Sequence, residues 1–325
     1  MRAMTRRRFI TLTAGIAGAG RAFPQSAYPT KPVRFVTPYP PGGTTEILAR
    51  LLGAKLQDRM GQPFLVESRP GAGGNVGTDY VAKSPGDGYT LLMGASGPLA
   101  IDVTLYKNLP YDPTKDLAAV ILVASVPLVL VVTSSFPAKS VKELMDMLKA
   151  KPDAYSYASA GNGSPQHLSA ELFKLMTGLK MVHVPYKGSG PAINDVVGAQ
   201  VPIMFDSMIS ILPQIKGGRV RALAVTSAAR AELLPDVPTL AEAGVSGYES
   251  IAWYGVMAPG STSQEIILKL NREMGAVLDL PDIRARMAEM GSPPVHNSPE
   301  KFAAFIRTEI VKWGKVVKES GATVD

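Results

Sequence analysis

No cysteine occurs among the 325 residues, which excludes disulfides and thiolate metal sites. A chain of this length does not need such staples, because the buried fraction of its surface grows with size. Histidine is nearly as scarce: His167, His183 and His296 are the only three. No His-Glu-x-x-His pair, Gly-x-Ser-x-Gly elbow or Walker loop is present to activate water, serine or phosphate. No catalytic residue, metal site or cofactor is therefore assigned. Concentrated positive charge is also missing after the first 27 residues. Those carry Arg2, Arg6, Arg7, Arg8 and Arg21 and no acid, and removing these five from the net charge of +7 leaves +2. With no long Lys/Arg tract beyond them, nucleic acid is not an expected partner.

Charge is absent altogether from Leu117 to Ala138. That run is long enough to raise the question of a membrane helix, but Pro127 stands in its middle and valine and isoleucine dominate it. Two buried strands separated by a proline fit this composition better. The other apolar run lies at the start: TRRRFITLTAG resembles a twin-arginine export signal. Its uncharged part, Ile10 to about Gly20, falls short of the ~20 residues that span a bilayer. Residues 1–27 are read as a cleaved signal, with cleavage between Ala22 and Ala27, and the mature protein as periplasmic.

What remains, about 298 residues after 27 are removed from 325, is 46% hydrophobic counted over the whole chain and can bury a large core. Candidate strands are Val33–Thr37, Phe64–Glu67, Tyr89–Met93, Val120–Ala124, Leu128–Thr133, Tyr155–Ser159, Met181–Val184, Val201–Phe205, Val220–Thr226 and Trp253–Ala258. Most are continuously apolar, as in sheets covered on both faces, and helical patterns alternate with them. Ile47, Leu48, Leu51, Leu52 and Leu56 make one helical stripe, closed by Gly61. Ser164-Pro165 and Ser298-Pro299 read as N-cap and first helical residue, and Thr262-Ser-Gln-Glu265 as a capping box. Ten strands exceed one compact sheet, so two α/β domains are expected: residues 28–125 with 227–325, and residues 126–226. The chain would cross near Pro127 and again near Val220–Thr226, making a hinge.

The stretch PYPPGGTTE (38–46) raises the functional question. Gly42 and Gly43 remove the Cβ atoms that keep a ligand from the backbone, and a helix N-terminus offers free N–H groups to an anion. Similar loops follow other strands: RPGAGGN (69–75), ASGP (95–98), SAGNGSPQH (159–167), VPYKGSGP (184–191) and MFDS (204–207). Such loops gather at the carboxyl edges of the strands, where ligands bind. One helix terminus contributes at most ~2 kcal/mol, whereas micromolar affinity needs ~8 kcal/mol. A cleft closed from two sides is thus expected, not a surface site. Candidate ligand contacts include Gly74, Asn75 and Ser96 from the second and third loops. Asp206 either caps a helix or accepts from a ligand donor; His167 either donates to the ligand or is structural; His183 reads as structural.

These motifs, with SPGDGYTLLMG, LPYDPTKDL, GGRVRALAVTS, LPDVPTLAEAG and WYGVMAPG, resemble the periplasmic receptors of tripartite tricarboxylate transporters, the Bug family, from about Tyr28 to the C-terminus. The resemblance implies a two-lobed type II periplasmic-binding-protein-like α/β fold, each lobe a mostly parallel sheet flanked by helices. It also implies a small organic carboxylate in the interdomain cleft (a di- or tricarboxylate, an acidic amino acid or an aromatic acid), held by backbone N–H groups and hydroxyls. Tyr39, Gly43, Thr44 and Thr45 from one domain, and Gly163, Ser164, His167, Tyr186 and Asp206 from the other, would line the cleft. Delivery to membrane transporter subunits by a monomeric receptor follows from the same likeness. Two residues depart from the family: Tyr39, where phenylalanine is usual, and Glu46, where aspartate is usual. A secreted enzyme acting on a small acid, or a ligand sensor for a signalling partner, are the alternatives.

Overall fold

A computed structural model describes residues 28–324; the export signal expected over residues 1–27 lies outside them. Strand β1 (Val33–Thr37) leads into helix α1 (Thr44–Met60), and the same alternation brings β2 (Phe64–Ser68), α2 (Asn75–Ala82) and β3 (Thr90–Ala95). A π-helical turn at Gly97–Ile101 continues into the short α3 (Asp102–Leu105), and then comes the long β4 (Leu117–Thr133). The chain proceeds through α4 (Val141–Ala150), β5 (Ser156–Ser159), α5 (Pro165–Thr177), β6 (Val182–Pro185), α6 (Ser189–Val197), β7 (Ile203–Ser207), α7 (Met208–Lys216) and β8 (Val220–Val225). It ends with β9 (Ile251–Pro259), α8 (Gln264–Leu278), α9 (Pro281–Glu289) and α10 (Pro299–Ser320).

The architecture is a two-lobed α/β fold. In the first lobe β2, β1 and β3 are parallel, β9 runs antiparallel to β3, and the first part of β4 runs antiparallel to β9. In the second, β6, β5 and β7 are parallel and the last part of β4 is antiparallel to β7 and to β8. The sheets are therefore mixed. Strand–helix–strand crossovers keep each trio parallel, while the strand that arrives from the other lobe, β9 in the first and β4 in the second, runs against it.

The uncharged run is one strand, not two. Pro127 pairs opposite Ile251 at the end of the β9 ladder, and Leu128 pairs opposite Ser207 at the start of the β7 ladder. At this changeover a missing N–H leaves no ladder bond unmade, so proline does not break the strand. The return crossing is tied to the same point: Thr226 N–H donates to Leu128 O (2.9 Å), Leu128 N–H to Thr226 Oγ1 (2.8 Å) and Thr226 Oγ1 to Ser250 O (2.6 Å). Among the described residues no helix is long and apolar enough to cross a membrane.

Local signals mostly act as their chemistry dictates. Gly61 ends α1 in the left-handed region (φ 73°), and Ser164 and Ser298 accept the N–H of the residue three further on. At α8 the cap is Ser263 instead of Thr262, so the helix begins one residue later than the box implies. The core is continuous through both lobes around β4, whose Leu128–Val132 are fully buried. A second cluster packs α10 against the Gly97–Ile101 turn, with both buried indoles, Trp253 and Trp313, donating to Glu309 Oε2 at 2.9 and 3.0 Å.

Candidate ligand-binding cleft

The loop after β1 enters α1 through Gly42 (φ +92°) and Gly43, an extended N-cap with no side chain to satisfy the first turn. The N–H groups of an N-cap and the residues just after it have no intrahelical acceptor, so those of Gly43, Thr44 and Thr45 are presented outward. Gly42 is different: its N–H donates to Glu46 Oε2 at 2.8 Å, and Arg50 donates to Glu46 Oε1 at 2.6 Å. Burial works against ionisation of Glu46, but these two bonds outweigh it and hold the carboxyl below its usual range. Glu46 thus closes the loop on itself and takes one amide out of play.

Facing this helix end across the cleft stand Pro165 and Gln166 at the start of α5 and Ser189 at the start of α6. Together with Tyr39, Gly43, Thr44, Thr45, Ala95, Ala160 and Tyr254 they enclose an inner chamber of about 10 Å³, room for no more than a water molecule. Among the described residues no arginine, lysine or histidine lines it. Thr45 Oγ1 and Gln166 Oε1 are buried there without a hydrogen-bond partner, and such orphans ask for a ligand or a water. Beneath the wall, Asp206 accepts from Gln166 Nε2 (2.9 Å), Ser189 Oγ (2.8 Å) and Ser210 Oγ (2.7 Å). Burial raises its pKa, and the same three donors oppose the rise. Asp206 is thus fully engaged by its own lobe and orients Gln166 and Ser189. Tyr254, from β9, has its phenol pushed up to about 12 by burial, with Thr44 and Ser207 beside the hydroxyl.

A second chamber of about 170 Å³ opens beyond Tyr39 and Ala160, which line both spaces. Its walls are Gly71–Gly74 and Tyr106 from one lobe and Gly161, Asn162, Pro185, Tyr186 and Lys187 from the other. The Tyr39 hydroxyl does not reach into either space for a guest; it donates to Gly73 O at 2.6 Å and pins the glycine-rich loop. Tyr186 is likewise engaged, donating to Asp195 Oδ2 at 2.6 Å.

The candidates from the sequence therefore divide. Tyr39, Gly43, Thr44 and Thr45 line the inner chamber, while Gly74 and Tyr186 line the outer one. The remaining candidates lie behind the walls. Asn75 Oδ1 accepts from Tyr111, and Ser96 is fully buried. Ser164 Oγ accepts from the His167 N–H, and His167 Nδ1 accepts from the Gly163 N–H at 3.2 Å. His167 stacks on His183 with ring centres 4.1 Å apart, and burial lowers its pKa to about 4, so the ring is neutral near pH 7. His183 in turn holds Ser159 Oγ at 2.6 Å and supports the loop. Gln166, Ser189, Tyr254 and Tyr106 are among the wall residues that the candidate set left out. The helix starts at Ser164-Pro165 and in KGSGP were the signals for the first two; Tyr254 lies in a strand that reads as plain core.

A family model described as "Tripartite tricarboxylate transporter family receptor" matches residues 48–322. Protein BugT of Bordetella pertussis is 43% identical over 310 residues, covering 94% of this chain and 95% of its own. Among solved structures, R. palustris Rpa4515 with adipate superposes with a TM-score of 0.88 at 40% identity, covering 90% of this chain and 98% of that one. MatC from Rhodopseudomonas palustris with bound malate gives 0.86 at 33%, over 89% of this chain and all of the other. With its two lobes and a chamber between them, the chain belongs to the tripartite tricarboxylate transporter receptor family.

Proposed function

We propose that this protein is a periplasmic, monomeric receptor that captures a small organic carboxylate between its lobes and hands it to membrane transporter subunits. The observation that carries the reading is the inner chamber: the uncapped N-terminus of α1 and the Thr45 hydroxyl on one side, Gln166 and Ser189 on the other, with no fixed cation among the described residues. Amides and hydroxyls can stabilise a carboxylate without the cost of stripping water from a buried arginine. The relatives that hold adipate and malate support the ligand class. We assign residues 28–125 and 227–325 to one lobe and 126–226 to the other, closing about the Pro127–Leu128 and Thr226 crossings.

The inner chamber has room for no more than a water in this closed arrangement, so the lobes must part before an acid enters. Thermal-shift screening of the mature chain against C4–C8 dicarboxylates, acidic amino acids and aromatic acids tests the reading. A ligand at ~100 times its dissociation constant adds ~2.7 kcal/mol of stability. A structure with the acid bound away from Thr44, Thr45 and Ser189 would refute the site, and a screen without any stabilising carboxylate would refute the ligand class.

A further inference from the structure

The seam between the lobes buries a carboxyl group that the chambers do not use. Asp102, at the start of α3, has no exposed surface, and neither of its oxygens has a hydrogen-bond partner. It is covered from the second lobe by Gly163: a Cβ built on that glycine would fall on the Asp102 carboxyl. The neighbouring Gly97 also meets the second lobe, its own Cβ position 2.8 Å from Gly163 O. Contact between the lobes is therefore what seals the carboxyl from water.

We propose that closure of the two lobes binds one proton on the carboxyl of Asp102, so that ligand capture and proton uptake are coupled. A buried, unpaired carboxylate is far costlier than the neutral acid. Among the described residues no cation faces it to balance a negative charge, and the Asn75 amide is the one group that opposes the rise. The β1–α1 loop contributes Tyr39, and the segment after α3 contributes Tyr106 and Tyr111; all three are neutral phenols whose pKa values the Asp102 charge would itself raise. From α2, the Asn75 amide faces Asp102, yet Asn75 Nδ2 is itself buried without a partner. From α10, Gly314 packs on Thr104, and its buried carboxylate Glu309 is bonded to the two indoles. From the second lobe, His167 stands behind Gly163 as a neutral ring. Burial pushes Asp102 well above the usual carboxylate range, with Asn75 opposing only in part.

The sign follows from linkage. A carboxyl with a higher pKa in the closed form than in the open form favours closure at low pH. That advantage is complete below the open-form value and is lost as pH rises through the closed-form value. Between the two values affinity weakens by about tenfold per pH unit.

The coupling rests on the two-lobed receptor reading, and two measurements separate its failure from that of the reading. The first locks the closed form without any ligand. The Cβ of a residue at position 43 would lie 3.8 Å from Ser189 Cβ, the mean spacing across a disulfide, and the chain has no cysteine of its own to interfere. In the Gly43→Cys/Ser189→Cys variant with 13C-labelled aspartate, the carboxyl resonance missing from an added Asp102→Asn change should titrate at higher pH when oxidised than when reduced. Equal titration in both forms overturns the proposal whether or not any acid binds.

The second measurement uses adipate above about pH 6, where both its carboxyls are ionised. Calorimetry in buffers of different ionisation enthalpy should give uptake approaching one proton per adipate in the wild type and none in Asp102→Asn, whose affinity should be independent of pH. Binding without uptake in the wild type overturns the coupling, whereas failure of adipate to bind speaks to the ligand class alone and leaves the locked variant to decide.

Discussion

Closure can be tested with a single methyl group at Gly190. This residue is the second of α6, and a Cβ there would lie 2.5 Å from Pro41 O and 3.6 Å from Gly42 Cα, both in the opposite lobe. Its own φ is not positive, so alanine suits the local backbone and, as a helix former, gains up to ~1 kcal/mol over glycine. That gain applies to open and closed forms alike and cancels in binding. The clash exists only when the lobes meet. A carbon that must retreat by more than half an ångström from a backbone oxygen is an overpacking defect, which costs ~1–3 kcal/mol. Placed wholly on the closed state, it weakens affinity by roughly 5- to 150-fold. Gly190→Ala should therefore bind the acid found by screening far more weakly while the ligand-free protein melts no lower than wild type. Calorimetric titration and small-angle scattering with and without ligand would show the loss and its cause. Affinity within twofold of wild type, with the same compaction on binding, would refute the claim that these loops meet in the bound form.

Three further outcomes are expected. Tyr39→Phe removes the bond to Gly73 O and should lower unfolding free energy by about 0.5–1.5 kcal/mol in urea melts, with faster hydrogen exchange confined to residues 71–74; uniform exchange would deny the pinning role. Asp206→Ala orphans three donors and should cost at least ~2 kcal/mol together with most of the ligand affinity, while Ser210→Ala, which removes only the donor to the other carboxyl oxygen, should cost less on both counts. Near-equal losses would argue against an organising role for Asp206. Burial lowers His167 to about 4 and His183 to about 3, against ~6.5 unfolded. The unfolded chain then takes up protons first as pH falls below ~6.5, and the pair should make the fold ~4 kcal/mol less stable at pH 5 than at pH 8. His183→Asn should remove about half of that slope. The wild-type comparison cancels the opposite contributions of Asp102 and Asp206.

Much of this arrangement was legible before any coordinates. Glycine next to a capping position is a local signal, and it located the turn into α1, the stop at Gly61 and the loops that face the cleft. Non-local contacts left no such trace. Ser164 and His167 sit in the right loop, but the cap geometry turns the hydroxyl back to the helix, and the imidazole stacks inward on His183. Which helical position looks across the cleft depends on how the other lobe docks; hence Gln166, two residues on, holds the place read for Ser164. Tyr39 was read as lining the cleft and its side chain does line both chambers, but its hydroxyl goes to Gly73, a partner 34 residues away that no local pattern announces. Pro127 illustrates the reverse case: proline argued for a break, and only the change of ladder partners explains why the strand survives it.

Because β4 belongs to both sheets, the lobes are joined by a flexure and not by a slack tether. With Thr226 clamped to Leu128 on the return path, sliding and twisting are stiff and bending is the soft direction. A guest too large for the space would hold the jaws ajar by an angle instead of shifting them sideways. The angle of the remaining gap would then vary with the size of the guest.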